Sequence, residues 1–527
     1  MTANVGTVST MCGTVSSGDN ASPANCFSGI FDGQGHTLNV SISDSNQGAA
    51  PFRSINNATI KNLKVIGNVS HGNHHGSGLV GFAKDGSSNL IENCHVSANV
   101  TGTANNRYNG GIVGHVKMAT VTLNGCIYDG QITSNSSSNV GGLIGWGDSG
   151  HEVHLSDCLF NGTKSGSSNN FHPIGCCSGP SSSSTVTNCY YYATNSVSGQ
   201  IADDHNNSIV KSTTGKGKRA YSITGASPVT VANAGTATTY GGDNVTHYIT
   251  GYGTGIKYND VLYAGDGDQV SLTLSGANTY EADHGTLMGS GSSYTLDMTA
   301  NNTVISGKCT VTASAYQNSW GMVQFVNGTA SQEVTQTFNA GSEVSLYAEP
   351  AQGYQFVNWT ENDVEVGTAQ TYIISNLVTN HTLVAHFEPI IETFTKEITG
   401  HGGNAGRWYL ITSPHNTAIA PTEVTNMIPT TAADYDLFYF DQDPTDHKEW
   451  ITYKAGEGAT NAGFSLEAGK GYLYANRNTV TLTFTGMPYQ VMEKLPSPLT
   501  AVTDGPAGTS WATPSVRKPI STATITG

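Results

Sequence analysis

Three sets of side chains in the first 160 residues have types and spacings that could carry chemistry. The first is a set of eight carboxylates: Asp32, Asp44, Asp85, Glu92, Asp129, Asp148, Glu152 and Asp157. A general acid and base in a pair, or carboxylates holding calcium beside a Lys or Arg base, would cleave polysaccharides. The nearest approach to such a cluster is Lys84, Lys117 and Asp148, each three residues after one of the glycines Gly81, Gly114 and Gly145. The second set follows the same glycines by one residue: Phe82, His115 and Trp146. If that column faces outward, its rings form a platform on which sugars stack; facing inward, they cover the edge of a core. The third set is histidine, with His71, His74 and His75 in one short stretch and His151 and His154 in another. A His-rich loop can bind a transition metal, although histidines in a polar loop are more often simply solvated.

One calcium candidate lies far downstream, Asp441-x-Asp443-x-x-Asp446. Ca²⁺ takes six to eight oxygens, and this stretch lacks the sixth-position glycine and distal Glu of an EF-hand. A solvated acidic turn is the default reading, so no cofactor is assigned beyond this Ca²⁺ candidate.

The elements that must position these groups are repeats. The template Ile60-x-x-Leu63-x-Val65 recurs as Ile91-x-x-Cys94-x-Val96, Leu123-x-x-Cys126-x-Tyr128, Leu155-x-x-Cys158-x-Phe160 and Val186-x-x-Cys189-x-Tyr191, in steps of 31, 32, 32 and 31 residues. Asn62, Asn93, Gly125, Asp157 or Asn188 precedes the second template position, and all tolerate turn or left-handed geometry. A second series, Gly81, Gly114, Gly145 and Gly175, keeps nearly the same period, within stretches such as VGGLIGW at 140–146. Short strands at a fixed period describe a β-solenoid, with coils stacked at roughly 4.8 Å and equivalent residues in columns. On its own alignment no two of the eight acids share a column, which favours a salt-bridged loop face over catalysis.

The stretch FSGIFDGQGHTL (27–38), followed by IKNLKVIGNV and the GGLVG-like rungs, resembles bacterial GLUG-motif proteins. That resemblance covers roughly the first 200 residues and implies a right-handed parallel β-helix on a surface or secreted protein. It implies no particular chemistry, since one fold hosts many functions. Four of the nine cysteines (Cys94, Cys126, Cys158, Cys189) share one inward column and read as buried thiols. Cys12 and Cys26 are the better disulfide candidates, while Cys176 and Cys177 cannot be assigned.

After a linker or cap at 201–220, two tandem β modules are expected at 221–307 and 308–389. They share alternating strands such as GDQVSLTL and GSEVSLYA. Within the second, GYQFVNWTENDVEV (353–366) resembles the divergent internalin B-type repeat of bacterial surface proteins, with Phe356 and Trp359 as core aromatics. A C-terminal β-sandwich is expected at 390–500, similar to C-terminal modules of large surface proteins of bacteroides-like bacteria, and an extended tail at 501–527. The fold class is therefore all-β: a right-handed parallel β-helix with an N-terminal cap over 1–200, then small β modules and a sandwich.

Only 11% of the 527 residues are charged and the net charge is −16. Nucleic acid is thereby disfavoured as a partner, because it requires clustered Lys and Arg. No apolar run is long enough for a membrane span. The opening MTANVGTVST lacks the basic start and apolar middle of a signal peptide, so an export signal is expected to have been removed. The function expected is a non-catalytic extracellular or cell-surface adhesin or display protein, with glycan or a surface protein as partner and self-association as a further class. A polysaccharide lyase or hydrolase on the helix and a structural stalk are the alternatives. If the column is outward, Trp146→Ala is expected to weaken binding by about 1–2 kcal/mol and to spare the fold.

Overall fold

The computed structural model describes residues 1–14, 25–103, 108–134, 140–166, 170–177, 183–192, 200–201, 217–404, 407–441, 450–454, 463–489 and 524–525. Among them every regular element is a strand, apart from two 3₁₀ turns at Pro421–Glu423 and Ala432–Asp434. The chain divides into two units, one being Met1–Cys309 with Phe338–Ser342 and Asn376–Asn380, the other the remainder. The boundary expected at 307 falls inside a continuous strand, Thr303–Ala315.

The first unit opens with the β-solenoid that the repeats require. Ile60, Ile91, Leu123, Leu155 and Val186 pair in parallel register from coil to coil. Val65, Val96, Tyr128, Phe160 and Tyr191 do the same one strand further on. The first four residues of each column, with Val186, are buried in one continuous apolar core. Between the two columns the chain turns a corner at Asn62, Asn93, Gly125, Asp157 and Asn188, all left-handed with φ between 48° and 58°. A side chain with a Cβ costs roughly 1–2 kcal/mol in that conformation unless it bonds locally. That is why Asn, Asp and Gly alone occupy the column.

The cysteine column next to these corners is buried. Each thiol donates to backbone carbonyls, Cys126 to Ile91 and Asn124 and Cys158 to Leu123 and Ser156. Burial pushes the thiols of Cys126, Cys158 and Cys189 well above their ordinary pKa, so they stay protonated and unreactive. All nine cysteines are free thiols, including the expected Cys12 and Cys26.

The corner column is also a docking rail. Asn62 Nδ2 donates to Gly241 O at 3.0 Å, and Asn93 Nδ2 to Thr246 O at 2.9 Å, while Tyr248 N donates to Asn93 Oδ1 at 3.1 Å. Asn188 exchanges two bonds with Gly255, and Tyr240 OH donates to Asp157. Along the rail the side chains also bond each other, Asn93 to Asn62 and Asn188 to Asp157. Residues 240–258 thus lie as a strap along the solenoid. Ile249, Ile256 and Tyr258 of the strap cover Ile127, Leu159 and Tyr190, which point out of the coils. In sequence the strap lies between the strands Thr230–Asn233 and Gln269–Ser275, which with Ser293–Asp297 belong to one antiparallel sheet. The region read as a separate module therefore includes a piece of the solenoid's own wall.

Asn93 makes three of these bonds in a left-handed corner, which separates two effects. Asn93→Gly keeps the conformation and loses the bonds, and should cost about 2–3 kcal/mol. Asn93→Ala adds the strain and should cost about 1 kcal/mol more. Urea unfolding of both variants checks this; equal stability for Ala and Gly would show that the corner is not strained.

Candidate functional site

Strands Val80–Ala83, Val113–Val116, Ile144–Gly147 and Gly175–Cys177 stack in parallel on one side of the solenoid. Their glycines are there because the coils approach so closely. A Cβ on Gly81 would lie 2.2 Å from Gly48 O, one on Gly114 2.1 Å from His75 O, and one on Gly145 2.5 Å from Tyr108 O. Gly48, His75 and Tyr108 are the facing loop residues, and all three are left-handed, with φ of 68°, 64° and 62°. Glycine adopts this freely, but a histidine and a tyrosine do so only when their surroundings hold them.

Those surroundings are each other. The His75 ring stacks on His115 at 4.1 Å between centroids and on Tyr108 at 5.5 Å, and meets Phe82 edge-on at 5.4 Å. Tyr108 in turn stacks on Trp146 at 4.0 Å. Phe82, His115 and Trp146 are successive rungs of one column, as the spacing predicted. The column is not an open platform, however. Phe82 and His115 are each only 4% exposed, and Phe82 lies where a Cβ on Gly48 would be. Trp146 is half-buried, with one face given to Tyr108. The loops carrying His75 and Tyr108 fold over the column, so of the two alternatives it is the inward one, rings covering the edge of a core, that describes Phe82 and His115.

Lys84, Lys117 and Asp148 follow Ala83, Val116 and Gly147, which are paired across the coils, so these three come to one level of the stack, all half-buried. Asp148 Oδ2 lies 3.9 Å from His115 Nε2. The other acids of the coils, apart from Asp85, are committed to structure. Asp32 and Asp44 pair with Lys61 and Arg53. Glu92 accepts from Gly241 N, Asp157 from Asn188 and Tyr240, and Glu152 from His154 and Thr120. Asp129 holds His95 at 2.7 Å and accepts from Ser97 and Tyr258. Burial alone would raise the Asp129 pKa, but these bonds outweigh it and hold the carboxyl below its ordinary value. Asp85 is exposed on a turn.

The histidines resolve differently from a solvated loop. His71, His75, His115, His151 and His172 are all buried. Among the described residues no group of three or more His, Cys, Asp or Glu is arranged to hold a metal ion. For the calcium candidate, Asp441 is half-buried, while Asp443 and Asp446 lie outside the described residues. Tyr108 and the partners on the strap were not singled out from sequence. The one available signal was that Tyr108 and His75 each begin a short glycine-containing stretch, Tyr108-Asn109-Gly110-Gly111 and His75-Gly76-Ser77-Gly78.

In the second unit, strand His381–Pro389 pairs in parallel with Val311–Ala315 and antiparallel with Tyr354–Glu361. A second sheet joins Val344–Pro350 to Gly321–Phe325 and Thr371–Ile374. Trp359 is fully buried, with Phe356 and Tyr372 within 6.3 Å between ring centroids, which is the core role expected of it. Further on, Glu392–Ile398 pairs with Val480–Gly486, and Tyr435–Phe440 lies between Trp450–Thr452 and Tyr472–Asn476 in a second sheet that shares the same core.

Because Trp146 is stacked rather than displayed, Trp146→Ala should destabilise the solenoid by about 1–3 kcal/mol, losing the aromatic pair with Tyr108 and leaving a gap beside it. Thermal unfolding measures this. An unchanged melting temperature would return Trp146 to the surface and restore the platform.

The family model of the divergent InlB B-repeat domain matches residues 322–391. No curated protein and no solved structure matches the chain. Over those residues, which include the Trp359 core, the chain is similar to this repeat of bacterial surface proteins.

Proposed function

We propose that the chain is a non-catalytic display or adhesive protein of the bacterial cell surface or its surroundings, binding glycan or a surface protein. One observation carries the reading: a B-repeat domain stands in the same chain as a β-solenoid whose carboxylates serve as structural ties. Repeats of this kind give a protein reach and a large lateral face rather than a closed site. The GLUG-like coils and the low charge suit the same setting, and no helix among the described residues is long and apolar enough to cross a membrane.

A second reading, the stalk or fibre subunit, is favoured by the first coil. There a cavity of about 460 Å³ is lined by Met1, Met11, Phe27, Phe31, Leu38 and Phe52 among others. Stacking of coil ends would cover it.

The polysaccharide-cleaving alternative is separated by chemistry. The protein incubated with a panel of acidic and neutral polysaccharides should release no reducing ends or unsaturated products, and should retain particular glycans or surface proteins on an array. Products that accumulate with time, and are lost in Lys117→Ala or Asp148→Asn, would overturn the non-catalytic reading. Concentration-dependent polymers in sedimentation, with no retention on the array, would favour the stalk.

A further inference from the structure

The stack around His75 contains more titratable groups than packing alone requires. His75 is buried against His115 at 4.1 Å, with His74 at 5.8 Å and Tyr108 at 5.5 Å. Its Nδ1 has no hydrogen-bond partner among the described residues. His71, buried at the other end of the same loop, gives Nδ1 to Asn73 O at 2.6 Å. Its ring fills the space where a Cβ on Gly76 would stand. Two residues of this stack, His75 and Tyr108, hold left-handed backbone that non-glycine residues adopt rarely. The loops are closed under strain, and imidazole rings hold them.

We propose that buried His71 and the stacked pair His75 and His115 form an acid-operated latch: they hold the loops 71–78 and 108–115 shut at neutral pH and release them in mildly acidic surroundings, freeing Tyr108 and Trp146 from each other. The charged groups on the elements packed against the stack do not offset a second and third positive charge there. Asp44, in register with His71, is tied to Arg53. Asp148 faces His115, with Oδ2 3.9 Å from Nε2. Lys84 and Lys117 follow the strands of Phe82 and His115 and add positive charge. Burial lowers the His71 pKa to about 4. Burial, with His115, His74 and His71 nearby, also drives that of His75 well below the ordinary range.

The sign follows from these directions. Both imidazoles are neutral in the closed state and titrate near 6.5 once released. Closure is therefore unpenalised above about pH 6.5 and is lost as pH falls from there towards 4. This latch stands apart from the adhesive reading and needs no ligand.

Hydrogen exchange read by mass spectrometry on the full chain, corrected for intrinsic amide rates, tests it. Between pH 7 and pH 5 the protection of residues 71–83 and 108–116 should fall by about 25-fold for each histidine that must charge, several hundredfold for the pair. Residues 120–128, which hold no histidine, should stay protected. His75→Phe keeps the stacked ring but cannot charge, and should leave only the share of His71, about 25-fold. If that variant does not fold, the wild-type pattern alone decides. Equal protection at both pH values, or a loss spread evenly over all coils, overturns the latch.

Discussion

Stacking the coils in register at strand spacing is the constraint on which the remaining features of the first unit depend. It allows one backbone conformation at each corner and, at the closest approach, no Cβ at all. The left-handed column at Asn62, Asn93, Gly125, Asp157 and Asn188 and the glycines at 81, 114 and 145 are the two answers to that constraint. The first accepts a side chain provided it bonds; the second excludes one. Apolar columns between them then fill the core, and the thiols of the cysteine column end on neighbouring carbonyls instead of on metal or on each other.

The corners recur 31 or 32 residues apart along the chain and one coil apart in space, and the side chains at all but Gly125 make a polar rail. The strap uses that rail. Its backbone groups at Gly241, Thr246, Tyr248 and Gly255 pair with corner amides, so the polar column is satisfied on both sides. The acids follow the same logic: Glu92, Asp129 and Asp157 face the strap and accept from it. Carboxylates engaged in this way tie the coils to the strap.

The repeat architecture was legible because the period, the corner residues and the inward columns each repeat five times, from Ile60 to Tyr191. The strap was not legible, because Tyr240, Gly241, Thr246, Tyr248 and Gly255 carry no period and bond largely through backbone. The spacing of Phe82, His115 and Trp146 implied one column, and they form one. Which way such a column faces depends on what folds over it, and that is decided by His75 and Tyr108, a loop away and in a backbone conformation that sequence seldom signals. Trp359 lay within a motif whose core aromatics are well spaced, and its burial was predictable for that reason.

The central claim is that the corner rail and the strap are energetically coupled. The most direct measurement is a double-mutant cycle on Tyr240, whose hydroxyl donates to Asp157. Tyr240→Phe removes the hydroxyl and keeps the ring; Asp157→Gly removes the carboxylate and keeps the left-handed corner, as Gly125 does one coil earlier. With stability read by urea unfolding, the double variant should be more stable than the sum of the single losses predicts, by a coupling energy of at least about 1 kcal/mol. Losses that simply add, within about 0.5 kcal/mol, would mean that the strap does not hold the rail.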